Sequence, residues 1–265
     1  MTIGFIGCGN MGSAIVSGVI NSGVMTPENI YVYDRYRPAM DAAVDKFGVK
    51  SCENEADVVE KADAVILAVK PNIISSVLNS INAVLEQKST LLISIAAGKT
   101  VEYIRSGLTH DNRIIRVMPN INAVVGEAMS AYTANTDVTS QDKELVEKIF
   151  GGVGKIIYLE EKDFPLFGVM GGCSPAFAYM FIDAMARAGV ENGMKKDTAL
   201  VVAAQAVLGS AKMILESDCH PWELIDRVCS PGGTTIEGVI SLQADGLEAA
   251  VHNAINKSLK KDSKL

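Results

Sequence analysis

The chain lacks most of the marks that assign a protein quickly. Its five cysteines, Cys8, Cys52, Cys173, Cys219 and Cys229, are scattered, odd in number and form no CxxC pair. They offer neither a metal site nor a disulfide framework, and suit a reducing cytoplasm. Its three histidines, His110, His220 and His252, fall outside every motif described below. A basic surplus is missing: the formal net charge is −7, with a pI of about 5.1. That balance argues against a nucleic-acid or anionic-membrane partner. The apolar runs at 64–69 and 91–97 are too short to span a bilayer, so no membrane association is expected. Residues 2–6 read as a buried strand and not as a charged, then apolar, leader. No repeat or low-complexity segment interrupts the chain. What is present is 265 residues, 48% hydrophobic and 21% charged, enough for a packed core in one large or two modest domains.

The pattern divides near residue 160. In 1–160, short apolar runs at 3–6, 30–33, 64–69, 91–95 and 114–118 alternate with helical periods. One such period runs Met11, Ala14, Ile15, Gly18 and Val19, and another runs Ile74, Val77, Leu78, Ile81 and Leu85. Alternation of this kind predicts a parallel sheet covered on both faces, an α/β domain of Rossmann type. In 161–265 no strand is evident. Helices are expected over 175–192, 198–216, 222–229, 235–243 and 247–260, with a polar tail over 257–264 that frays. The second helix is apolar nearly all round and rich in small residues, so it should be buried. About 100 residues of helix have limited means to do that alone, which predicts docking on a second copy.

Gly7-Cys8-Gly9-Asn10-Met11-Gly12 is a GxGxxG that follows a strand and opens a helix. In that context Gly7 permits the turn, Gly9 admits a pyrophosphate to the backbone, and Gly12 allows close helix–strand packing. The helix start presents free N–H groups and a positive dipole end to phosphates. Asp34 ends the second strand, where an acid usually holds the ribose hydroxyls of NAD. Arg35 and Arg37 follow, and an arginine there can accept the extra phosphate of NADP or can simply be solvated. The cofactor is therefore NADPH or NADH, with the choice open.

Ligands of such a sheet sit beyond the carboxyl ends of its strands. The segments there are Ala68-Val69-Lys70-Pro71, Ser94-Ile95-Ala96-Ala97-Gly98 and Met118-Pro119-Asn120. Ala96, Ala97 and Gly98 leave room for a nicotinamide ring. Lys70 is placed to reach a ribose hydroxyl, and Asn120 to orient the ring or line the substrate pocket. Alternatively, Lys70 is a surface lysine and Asn120 a turn residue. Late in the chain, Ser230-Pro231-Gly232-Gly233-Thr234-Thr235 precedes a helix and exposes backbone N–H groups, an anion site suited to a carboxylate. Thr235 is the candidate to hydrogen-bond a substrate ring nitrogen; the competing reading is that Thr234 or Thr235 only caps the helix.

Taken together, these segments resemble the pyrroline-5-carboxylate reductases, over essentially the whole chain. The motifs that carry the resemblance are the glycine loop with Gly4-Phe5-Ile6 before it, Ala68 to Pro71, Ser94 to Gly98, Arg116 to Asn120, and above all Ser230 to Thr235. The resemblance implies a soluble, cytoplasmic NAD(P)H-dependent oxidoreductase of proline biosynthesis, which reduces a cyclic imine acid to L-proline. It implies a dinucleotide domain over 1–160 and a helical dimerisation and substrate-binding domain over 161–265. It also implies dimers that often build decamers, with each substrate pocket completed at the dimer interface. The chain departs from the family pattern at Ile121-Asn122 and at Gly171-Gly172-Cys173. A protonated imine is already electrophilic, so no acid is required of the protein. A β-hydroxyacid dehydrogenase-like enzyme, the enzymatic rival, would carry a lysine on the helix over 175–192, and none is there. The other rival, a non-catalytic NAD(P)-sensing module, would have no use for a carboxylate cradle.

Overall fold

The structure, a computed structural model, describes residues 1–262. It forms two compact units that divide between Gly172 and Cys173. The expected boundary lay at 160/161; residues 161–172 belong to the first unit.

The first unit begins with β1 (Ile3–Ile6), α1 (Asn10–Asn21), β2 (Ile30–Tyr33), α2 (Arg37–Phe47), β3 (Lys50–Ser51) and α3 (Glu55–Lys61). It continues through β4 (Ala64–Leu67), α4 (Ile74–Leu85), β5 (Leu91–Ser94), α5 (Val101–Ser106) and β6 (Ile114–Met118). It ends with β7 (Ala128–Ala134), α6 (Ser140–Gly151), β8 (Gly154–Tyr158) and the short α7 (Phe164–Phe167). The eight strands form one sheet in the order β3-β2-β1-β4-β5-β6-β7-β8. Every pair is parallel except β6–β7. The order reverses direction at β1, and a doubly wound sheet opens its ligand crevice at such a point. Two cores cover the faces. One is built on Phe5, Ile15, Val32, Ile93 and Phe150, the other on Leu67, Ile74, Leu78, Leu92 and Ile104. β1, β4 and β5 are buried along their whole length, as their continuous apolar runs require.

Two expectations are corrected here. β4 stops at Leu67 and β5 at Ser94, so Ala68 to Pro71 and Ile95 to Gly98 are loops at the sheet edge. β7 was not anticipated; its run of Ala, Ser and Thr hides its period, and it makes the sheet mixed.

Among the described residues the elements of the second unit are all helices: α8 (Ser174–Glu191), α9 (Lys196–Glu216), α10 (Pro221–Val228), α11 (Thr234–Ala244) and α12 (Leu247–Asp262). The tail expected to fray from Lys257 is helical through Asp262, and its remainder lies outside the described residues. The buried cluster of this unit is small, formed by Ala186, Ala199 and Ala203. Met180, Val201 and Leu215 are 78%, 68% and 69% exposed. By length and composition alone, the stretches Glu161–Glu191 and Lys196–Glu216 could cross a membrane. Counting unbroken apolar runs missed them, because small and weakly polar residues separate their large apolar ones.

Candidate active site

The glycine loop is built by local sterics. Gly7 has φ +110°, a left-handed conformation, and a Cβ there would lie 2.4 Å from the Ala68 carbonyl oxygen. Its N–H donates to the Tyr33 carbonyl, so the loop hangs between β2 and β4. Gly12 is closed by contact: a Cβ would sit 2.4 Å from the Gly7 oxygen. Gly9 differs, since a Cβ on it would meet no protein atom within 4 Å. Packing does not require glycine at position 9, and the backbone there faces an open cleft. Gly9 is also the N-cap of α1, with no side chain capping the helix and no acid in its first turn. The positive helix end is left uncompensated, as an anion site requires.

That cleft belongs wholly to the first unit. Its β2 side is lined by Gly7, Gly9, Tyr33, Asp34, Arg35, Tyr36, Glu55, Val69, Lys70 and Ile73. Its β6 side is lined by Gly9, Asn10, Met11, Val69, Lys70, Pro71, Ala96, Ala97, Arg116, Met118 and Pro119. Gly9, Ala68, Val69 and Lys70 line both halves, which makes one continuous trough across the α1 N-terminus. Asp34 is held rigidly: Oδ2 accepts the Cys8 N–H at 2.7 Å and Oδ1 the Tyr36 N–H at 2.8 Å. Burial, then the nearby Asp34 carboxylate, pushes the Cys8 thiol up to about 12, so it stays protonated.

Three expected site residues in this unit stand apart from the lining. Gly12 lies beneath the loop. Gly98, with φ +71°, shapes the turn after β5. Asn120 is buried, its Nδ2 donating to the Gly171 carbonyl at 2.9 Å and its Oδ1 accepting from the Met129 N–H at 3.3 Å. These two bonds hold the loop after Pro119. Sequence reasoning passed over Glu55, Tyr36 and Arg116 as site residues. Arg116 was signalled as the lone charge inside an apolar strand. Its side chain is 7% exposed, bonds Glu161 Oε1 at 2.8 Å and lies 4.4 Å from the Phe164 ring centroid.

In the second unit, Gly232 has φ +67° and the Gly233 N–H closes a turn on the Ser230 carbonyl at 2.9 Å. Gly233, not a threonine, is the N-cap of α11, and no side chain caps that helix. The capping role considered for Thr234 or Thr235 is thus not used. Ser230, Pro231, Gly232, Thr234 and Thr235 are all exposed, with Gly233 half-buried. His220 caps α10 through Nδ1, while His110 and His252 are exposed on the surface.

Residues 161–265 match the family model described as pyrroline-5-carboxylate reductase dimerisation. The chain is 46% identical to the pyrroline-5-carboxylate reductase of Escherichia coli (strain K12), over 99% of this chain and 97% of that one. The chain belongs to the pyrroline-5-carboxylate reductase family. Residues 2–98 match a model described as NADP oxidoreductase coenzyme F420-dependent. The reductase of the archaeon Methanosarcina acetivorans is 42% identical, with the same coverage. Among solved structures, a reductase from Coxiella burnetii superposes with a TM-score of 0.94 at 32% identity, covering 99% of this chain and 97% of that one. The Plasmodium falciparum pyrroline carboxylate reductase, solved with NADP bound, gives 0.85 at 33% identity with the same coverage. As a member of this reductase family, the chain is an NAD(P)-dependent oxidoreductase and a homo-oligomer acting on a small molecule. The dimerisation match also gives the exposed apolar faces of α8 and α9 a cover other than lipid.

Proposed function

We infer that this chain reduces the C=N bond of 1-pyrroline-5-carboxylate with NAD(P)H, giving L-proline. The observation that carries the reading is the trough across the uncapped α1 N-terminus, in a chain with the reductase dimerisation segment. The trough's residues fit a dinucleotide: the Gly9 backbone and first-turn N–H groups of α1 for the pyrophosphate, Asp34 for a ribose, and the small Ala96 and Ala97 beside Met118 and Pro119 for a flat ring. When bound, the reduced nicotinamide supplies the hydride.

The remaining roles are this chain's own. The Gly232 N–H, with the first-turn N–H groups of the uncapped α11 N-terminus, holds the substrate carboxylate. Thr235, in the first turn of α11, bonds the ring nitrogen. The substrate nitrogen arrives protonated, so alignment and exclusion of water are the protein's main tasks. No lysine occurs on α8 to serve an alcohol-forming reaction. The domains divide the work as the sequence suggests, with 1–160 for the cofactor and 161–265 for substrate and dimerisation. The assembly is a dimer through the helical unit, built further into a decamer, in the cytoplasm and without a membrane or nucleic-acid partner.

The test is incubation of purified protein with the imine acid and either reduced cofactor, following nicotinamide absorbance and proline. Imine-dependent oxidation with proline formed in equal amount is expected; oxidation without proline, or none, rejects the reading. Light scattering on the same sample reports the assembly.

A further inference from the structure

We propose that this chain selects NADH over NADPH, because Asp34 faces the position of the 2′ substituent and Glu55 already engages Arg35, the arginine beside it. The proposal rests on the dinucleotide reading of the trough. The two cofactors differ there by a phosphate monoester, which adds nearly two negative charges and has no proton to donate at its ionised oxygens.

Asp34 stands at the end of β2 and lines the trough. Asp34 cannot turn aside, because the Cys8 and Tyr36 N–H groups each fix one carboxylate oxygen. Each oxygen keeps a further lone pair, able to accept from a ribose hydroxyl. A hydroxyl satisfies it by donating, whereas a phosphate dianion is repelled.

The usual remedy is an arginine whose fork grips the phosphate. Arg35 is the candidate by position, but its Nε donates to Glu55 Oε1 at 2.9 Å. Glu55 opens α3 with its side chain only 9% exposed, whereas that of Arg35 is 55% exposed. The buried carboxylate is the fixed partner and the arginine goes to it. Glu55 also lines the trough, so the charge of Arg35 is already matched there and the Asp34 carboxylate stands without a guanidinium of its own. Lys70 lines both halves of the trough, so it is shared with the pyrophosphate position at the α1 N-terminus. Arg37 is turned to Asp41 on the exposed face of α2. A fixed carboxylate within several ångströms of a dianion, with the neighbouring arginine already paired, disfavours that dianion by roughly tenfold or more.

Binding, not turnover, tests this. Titrations of the intact protein with NADH and with NADPH, followed by calorimetry without substrate, should give NADH the tighter Kd by about tenfold or more. Glu55→Gln, close to isosteric, should tighten NADPH by roughly tenfold and leave NADH within about twofold. Asp34→Asn should weaken NADH and tighten NADPH, narrowing or inverting the ratio. Added salt should narrow the wild-type gap by screening the repulsion. NADPH binding as tightly as NADH in the wild type overturns the preference alone. Equal shifts of both cofactors in Glu55→Gln overturn the assigned cause. A protein that binds neither refutes the dinucleotide site itself, and the preference with it.

Discussion

Glu161→Ala is expected to destabilise the first unit by about 3 kcal/mol, and the estimate follows from what Glu161 touches. Its Oε1 accepts from Arg116 Nη1 at 2.8 Å and from the Val101 N–H, at the start of α5, at 2.9 Å. Arg116 lies on β6 between Ser94 of β5 and Thr133 of β7, pressed on the buried Phe164 ring. Removing the carboxylate leaves a guanidinium with 7% exposure and no counter-charge, a change that typically costs about 3–5 kcal/mol. The Glu161 side chain is 31% exposed, so water can enter the gap, and the lower figure applies. For a chain of this size that lowers Tm by roughly 6–12 °C. Glu161→Gln keeps an acceptor for both donors and should cost about half as much. Adding Arg116→Met should recover part of the loss, because the stranded charge is then gone, giving a coupling of roughly 1–2 kcal/mol. Urea unfolding at one fixed protomer concentration measures wild type, Glu161→Ala, Glu161→Gln, Arg116→Met and the double variant, since dimerisation makes stability depend on concentration. A loss below about 1 kcal/mol for Glu161→Ala, or strict additivity in the double variant, refutes the reasoning.

Three further outcomes are expected. Gly9→Ala should fold normally, because its Cβ meets nothing in the protein, yet lose at least about tenfold in reduced-cofactor affinity by blocking the pyrophosphate; a fluorescence titration at wild-type affinity would contradict this. Thr235→Ala should lower kcat/KM by roughly tenfold or more with cofactor Kd nearly unchanged, and unaltered turnover would reject its role. Asp142 is held below the ordinary aspartate range: burial alone would raise it, but hydrogen bonds from the Thr139 hydroxyl and backbone, together with Arg113, outweigh that. Its folded pKa lies below its unfolded one, so its stabilisation is complete above the unfolded value and is lost as pH falls through the folded one. Urea midpoints measured between about pH 2 and 6 should therefore fall more steeply for wild type than for Asp142→Asn; parallel curves would exclude the linkage.

The parts of the site readable in the sequence are those whose cause is local. Gly7 to Gly12 must turn from a strand into a helix within a few residues, and the required φ and close contacts leave their mark in residue type. Ser230 to Thr235 is legible for the same reason. The helices of the second unit were visible from period alone, within a few residues at each end. Other features depend on partners far along the chain. Asn120 gave no sign that its amide would be taken by Gly171 and Met129. β7 has no clean alternation, since its residues are mostly buried on both faces and small.

From residues alone came the alternation of strand and helix that makes the parallel sheet, the phosphate loop, the late anion-binding turn and the surplus of apolar helix that calls for a second copy. Each follows from sterics or periodicity within one segment. Tertiary structure alone decided which charges meet: Arg35 with Glu55, 20 residues away, and Arg116 with Glu161, 45 residues away. Ion pairing is a matter of distance in space, and the packed sheet sets that distance: Arg35 follows β2 and Glu55 opens α3, while Arg116 lies on β6 and Glu161 follows β8.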